Sequence, residues 1–162
     1  FGASQVMITD ISDYRLSIAQ ECGVDFCINT GGRDFNEAMI TCFGPDKADV
    51  IYDCAGNDIT INQAILSARK GSLIILVAVF AKMANVNLAV LNDRELRLDS
   101  SMMYRHEDYV KAIEIVQQKK VRLKPLMSMH FAFREYQAAY EYIDHNRETT
   151  MKVLIDVDST EE

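Results

Sequence analysis

No apolar run in this chain is long. The longest, Leu73 to Ala81, falls far short of the ~20 residues a membrane span requires, and no charged-then-apolar leader opens the sequence. A cytoplasmic protein with no membrane partner is expected. Basic residues are scarce: 17 Lys and Arg stand against 24 Asp and Glu, for a net charge of -7, and like charges never run in blocks. That leaves no electrostatic footprint for nucleic acid, so small molecules are the expected partners. Histidine is limited to His106, His130 and His145, none in an H-x-x-x-H or H-x-x-E pair, and each reads as a surface residue. Cys22, Cys27, Cys42 and Cys54 form no C-x-x-C pair and have no neighbouring histidine, which argues against structural zinc and against a disulfide framework. Internal repeats, low-complexity tracts and linkers are also missing, and no G-x-G-x-x-G motif occurs.

What is present is a chain of 162 residues, 49% hydrophobic, enough for one core that buries roughly 70% of its unfolded surface. Strand and helix signals alternate. Gln5 to Thr9 is a short apolar run ending at Asp10, followed by a helical pattern with Leu16, Ile18, Ala19 and Cys22 inside and Gly23 as its stop. Phe26 to Asn29 is a second strand. Asp34-Phe35-Asn36-Glu37 is a capping-box pattern for a helix that ends at Phe43, before Gly44-Pro45. Asp49 to Cys54 is a third strand, Asp58 to Arg69 a third helix, and Ser72 to Val79 a fourth strand so continuously apolar that both faces should be covered. The pattern then loosens, with an extended piece at Asn85 to Asn87, an apolar turn through Leu91 and a strand from Leu96 to Met103. Glu107 to Lys119 is helical through Val110, Ile113 and Val116. Pro125 to Phe133 is extended, Glu135 to Asp144 helical and Met151 to Val157 a last strand. The order predicts an α/β, doubly wound, Rossmann-type parallel sheet with helices on both faces over residues 1–157, and 158–162 read as a disordered tail.

An acid that closes a strand in such a fold is informative when it lies about 20 residues after the first glycine of the dinucleotide fingerprint. Counting back from Asp10 runs off the chain, and Phe1-Gly2-Ala3 resembles a helix exit. The chain is therefore expected to start mid-fold, with one strand, the glycine loop and most of one helix upstream of it. In sheet order that strand would sit beside the strands ending at Asp10 and Cys54, so both of their edges are expected to be open. Asp10 itself can accept hydrogen bonds from both adenosine ribose hydroxyls and would repel a 2′-phosphate, which selects NAD over NADP. A helix cap is the bland role for Asp10, but Ser12 and Asp13 serve that better. Cys54-Ala55-Gly56 ends the third strand at the edge where ligands bind in doubly wound folds, and its small residues let a cofactor approach the main chain. Cys54 is expected to be a buried small hydrophobe. Glu135 and Glu141, like Asp46 and Asp49, read as solvated faces rather than as a general acid and base.

Three segments, Val6 to Leu16, Ala48 to Gly56 and Gly71 to Val77, resemble the medium-chain, zinc-containing alcohol dehydrogenase family in order and spacing. Ser100 to Tyr104, Asp108 to Ile113, Lys124-Pro125-Leu126 and Met151 to Ile155 resemble its sorbitol, butanediol and threonine dehydrogenase branch. The resemblance implies the cofactor-binding part of a two-domain, NAD-linked enzyme that oxidises a polyol or secondary alcohol. The catalytic zinc would lie in an amino-terminal domain whose ligands are absent from this sequence. It further implies that Arg15 lies along the adenine, that backbone groups of Val77, Ala78 and Val79 hold the nicotinamide carboxamide, and that Met103 and Tyr104 approach the substrate side. Lys152 would reach the pyrophosphate. Ala78 and Phe80 depart from glycines common in the family, and Met103 stands where sorbitol dehydrogenases have arginine. A homo-oligomer is implied too, with Asn85 to Leu98 as a subunit contact. Three other readings stay open: a zinc-free NADPH reductase, which would want a basic or small residue at Asp10; an S-adenosylmethionine-dependent methyltransferase-like domain, which also places an acid on ribose; and a non-catalytic nucleotide-binding module.

Overall fold

The computed structural model describes residues 2–157, so the expected tail at 158–162 lies outside the described residues. The backbone divides into two compact units: residues up to Gly31 together with those from Val110 onward, and Gly32–Tyr109.

In the first unit, β1 (Met7–Asp10) pairs in parallel with β2 (Phe26–Asn29), with Asp10 opposite Asn29. Parallel pairing requires a crossover, which α1 (Asp13–Cys22) supplies. Ser12 caps α1 by accepting the Arg15 N–H, as its residue type predicts. The helix stops at Gly23, whose φ of +94° is the left-handed conformation only glycine adopts freely. The Val24 N–H then reaches back to the Ala19 carbonyl at 3.1 Å. Leu16, Ile18 and Ala19 are buried, as the helical spacing predicts. Later in the chain, β6 (Met127–Ala132) and β7 (Lys152–Asp156) form a second parallel pair joined through α6 (Tyr136–His145).

The second unit holds the better-packed core. Here β3 (Val50–Asp53), β4 (Leu73–Leu76) and β5 (Arg97–Ser100) form one parallel sheet in the order β3-β4-β5, in register so that Asp53, Leu76 and Ser100 align. Around it lie α2 (Phe35–Phe43), capped by Asp34, then α3 (Asp58–Ser67), capped by Asn57, and α4 (Leu88–Asp93). Ile61, Ala64 and Ile65 of α3, with Ala68, Ile74 and Leu96, form the buried cluster. Each fully buried isoleucine among them contributes about 1.5–3 kcal/mol, which is why α3 anchors the unit. The carboxyl end of α3 is tied by two cations: Arg94 Nη1 donates to the carbonyls of Leu66 (2.5 Å) and Ala68 (3.0 Å), and Lys47 Nζ to that of Ser67 (2.9 Å). Asn62 clamps the segment before α4, donating to the Asn85 carbonyl and accepting the Asn87 N–H.

Three expectations change. The apolar stretch at Leu88–Asp93 is a six-residue helix rather than a turn, because Val90 and Leu91, with Val86, pack against the α3 cluster. Within the stretch Asn85 to Leu98, Val86, Val90 and Leu91 are thereby partly buried, Leu88 and Leu98 stay exposed, and among the described residues β5 pairs only with β4. Strand β4 is shorter than Ser72 to Val79, and within its unit only the Ile74 face is fully covered, Leu73 and Ile75 being half-buried. The α5 helix (His106–Gln117) forms as predicted, but Val110, Ile113 and Val116 on its apolar stripe are exposed.

Candidate functional site

Parallel strands present their following loops at the carboxyl edge of their own sheet, and within each unit the site residues expected from the sequence fall at that edge, except Lys152, which opens β7. In the first unit Asp10 closes β1. Its Oδ1 accepts the Ser12 N–H at 2.9 Å, which fixes the carboxylate at the turn into α1, while Oδ2 lies 3.7 Å from Arg15 Nη1. Asp10 is thus not the helix cap. Opposite charge draws the half-exposed Arg15 guanidinium to the Asp10 carboxylate. Both line a largely apolar cleft of about 360 Å³, with Ile8, Leu16, Leu126 and Met151. Lys152 follows Met151 as the exposed first residue of β7, opposite Met127. Asn29, which the sequence reading passed over, braces the Asp10 turn: its Nδ2 donates to Asp13 Oδ1 (2.6 Å) and the Ile11 carbonyl (3.2 Å), and its Oδ1 accepts the Gly31 N–H (2.8 Å).

In the second unit Cys54-Ala55-Gly56 and Val77-Ala78-Val79 are brought together. Gly56 sits at φ +70°, and a Cβ built there would lie 2.8 Å from Ala78 Cβ and 3.3 Å from the Val79 carbonyl oxygen. Asp53, also missed from sequence, joins the two segments. Its Oδ1 accepts the N–H groups of Ala55 (3.0 Å) and Gly56 (3.2 Å), and its carbonyl accepts those of Val77 (2.9 Å) and Ala78 (3.1 Å). Cys54 is exposed rather than buried, because the side chain that points into the unit at the end of β3 is Asp53; partial burial, then the Asp53 charge, pushes the Cys54 thiol up. Met103 and Tyr104 leave the same edge after β5 and are exposed, Met103 at φ +63°. Tyr104 meets Tyr109 edge to face at 4.8 Å between centroids, and a side-chain hydrogen bond between them pushes the Tyr109 phenol up.

The remaining candidates are surface groups. His130 Nδ1 lies 3.1 Å from Asp156 Oδ1 across β6 and β7, Glu141 accepts from Gln137, and Asp49 pairs with Arg69. Among the described residues no three His, Cys, Asp or Glu side chains converge to hold a metal ion, and no helix is long and apolar enough to cross a membrane.

A family model described as zinc-binding dehydrogenase matches residues 1–118. The chain belongs to the zinc-binding dehydrogenase family. Within this family of dehydrogenases it matches the cofactor-binding domain. It is 27% identical over 161 residues to sorbitol dehydrogenase 1 of Saccharomyces cerevisiae, covering 95% of this chain and 45% of that protein. Against sorbitol dehydrogenase of Ovis aries the identity is 28% over 163 residues, with 99% and 45% covered. The chain thus spans about half the length of the curated dehydrogenases it matches. A solved structure from Escherichia coli CFT073, described as a short chain alcohol dehydrogenase complexed with NADH, superposes with a TM-score of 0.81 at 22% identity, covering 93% of this chain and 44% of that one. The likeness establishes the Rossmann-type fold, in agreement with the alternation read from the sequence.

Proposed function

We propose that this chain binds NAD for a dehydrogenase that oxidises a polyol or secondary alcohol, acting in the cytoplasm as a homo-oligomer. The observation that carries the reading is the placement of Asp10: a carboxylate closing a parallel strand, held at the turn into a helix, beside an apolar cleft able to take a planar base. The residues fit such a cofactor. Asp10 accepts the adenosine ribose hydroxyls and Arg15 neutralises it or turns to the base. The small residues Ala55, Gly56 and Ala78 keep the main chain of Cys54 and Val77 to Val79 accessible to the nicotinamide end. Met103 and Tyr104 border the substrate, and Lys152 meets a phosphate. When bound, NAD supplies the hydride acceptor. The name of the family includes zinc, but the described residues do not fit a zinc site, and no step is assigned to the metal here. Sorbitol dehydrogenase relatives support the substrate class, and the open edge of β5 supports association between copies.

Fluorescence titration of the protein with NADH tests this. Saturable enhancement that Asp10→Ala weakens at least tenfold is expected, with no displacement by S-adenosylmethionine. Displacement by S-adenosylmethionine, or indifference to Asp10→Ala, would contradict it.

A further inference from the structure

Asp53 is the one buried carboxylate among the described residues, and only half of it is partnered. It is 4% exposed; Oδ1 accepts two backbone N–H groups, whereas Oδ2 has no hydrogen bond. A charged group is expensive in such a place, where Val or Leu would pack without penalty, so its one engaged oxygen must contribute something an apolar side chain cannot. Successive N–H groups next to a left-handed residue form a concavity that binds an anion. Ala55 and Gly56, the latter at φ +70°, make that concavity, and Asp53 fills it from within the chain.

The geometry is two-sided. Through its side chain Asp53 fixes the loop after β3, and through its carbonyl it fixes Val77 and Ala78 after β4. These loops then meet at Gly56 and Ala78, with no room for another methyl group. We propose that Asp53 is a positioning residue for the cofactor: a single carboxylate oxygen sets the spacing of the two segments whose backbone faces the nicotinamide end. This rests on the reading that the unit binds NAD at that edge. Only an acceptor at Oδ1 is needed, and the negative charge is not.

NADH titration of the full chain and its variants tests the proposal. Asp53→Ala should raise the Kd for NADH at least tenfold at a temperature where the variant is folded, while Asp53→Asn, which keeps the acceptor, should stay within about threefold of the parent. Asp53→Ser, too short to span both N–H groups, replaces the alanine variant if that one does not fold, and should weaken binding equally. Rescue by asparagine is the outcome that a mere packing role would not produce. The proposal is overturned if the asparagine and alanine variants are equally impaired, or if alanine leaves the Kd unchanged while Asp10→Ser still weakens binding. A parent chain that binds no NADH at all overturns the cofactor reading as well.

Discussion

Substituting Gly56 by alanine isolates the contact that joins the two loops of the second unit. The residue stands at φ +70°, where an L side chain costs about 1–2 kcal/mol. Its added methyl would lie 2.8 Å from Ala78 Cβ and 3.3 Å from the Val79 carbonyl oxygen, and overpacking of that kind costs about 1–3 kcal/mol. The sum, about 2–5 kcal/mol, is a large share of the roughly 5–15 kcal/mol by which a domain is stable. Urea denaturation followed by circular dichroism measures it: with a slope of about 2 kcal/mol per molar, the midpoint should fall by about 1–2.5 M. Ala78→Gly removes the nearer of the two obstacles, so the Gly56→Ala, Ala78→Gly pair should recover about 1–2 kcal/mol relative to additivity, the dihedral cost remaining. A Gly56→Ala protein within 0.5 kcal/mol of the parent, or a strictly additive cycle, would refute the argument and show that the loops move apart at little cost.

Three further outcomes follow from the geometry. Arg94→Ala leaves the Leu66 and Ala68 carbonyls at the end of α3 without their cation and should lower stability by about 1–2 kcal/mol, discounted for the partial exposure of the arginine; an unchanged thermal midpoint would contradict this. The Cys54 thiol, raised by partial burial and then by the Asp53 charge, holds less thiolate at any given pH than a free cysteine. Alkylation by iodoacetamide at pH 8 should therefore be slower in the folded chain than in urea and should rise only at higher pH, with Asp53→Asn shifting the profile part of the way down; equal rates folded and unfolded would contradict it. Finally, among the described residues β1 and β3 each have a single strand neighbour, and parallel strands with open edges recruit partners, so the 162-residue chain by itself should scatter light as a species heavier than 18.4 kDa, where a monodisperse 18.4 kDa particle would show that the edges are protected.

Local chemistry was legible in the sequence and tertiary chemistry was not. Asp34 and Gly23 mark helix ends through bonds to residues within five positions, so α1 and α2 were found almost to the residue. The strand end at Asp10 was equally plain, and the third strand was read one residue too far, to Cys54 rather than Asp53. By contrast α4 is too short to show a period, and its helical form depends on Val90 and Leu91 finding the α3 core. The apolar run from Ser72 continues past the end of β4 because Val77 and Ala78 turn to the Asp53 carbonyl, a partner about 24 positions back that no periodicity reveals. Cys54 was misplaced for a related reason: strand alternation puts Asp53, not its neighbour, inside, where an apolar residue is the usual occupant. Asn29 and Asn62 tie distant parts of the chain together, Asn29 to Ile11 and Asp13 and Asn62 to Asn85 and Asn87, and a lone asparagine carries no signal of that.

The central claim is that Asp10 reads the adenosine ribose. Calorimetric titration of the protein and its Asp10→Ser variant with NAD and NADP measures this directly. NADP keeps the 3′-hydroxyl and lacks only the 2′-hydroxyl, whose bond to the carboxylate is worth at least ~1.5 kcal/mol, and its 2′-phosphate is repelled by Asp10, so the parent should prefer NAD by about tenfold or more, and the serine variant should lose most of that preference or reverse it as Arg15 is freed for a 2′-phosphate. Equal affinity of the parent for the two cofactors, or a preference untouched by the substitution, would contradict the account.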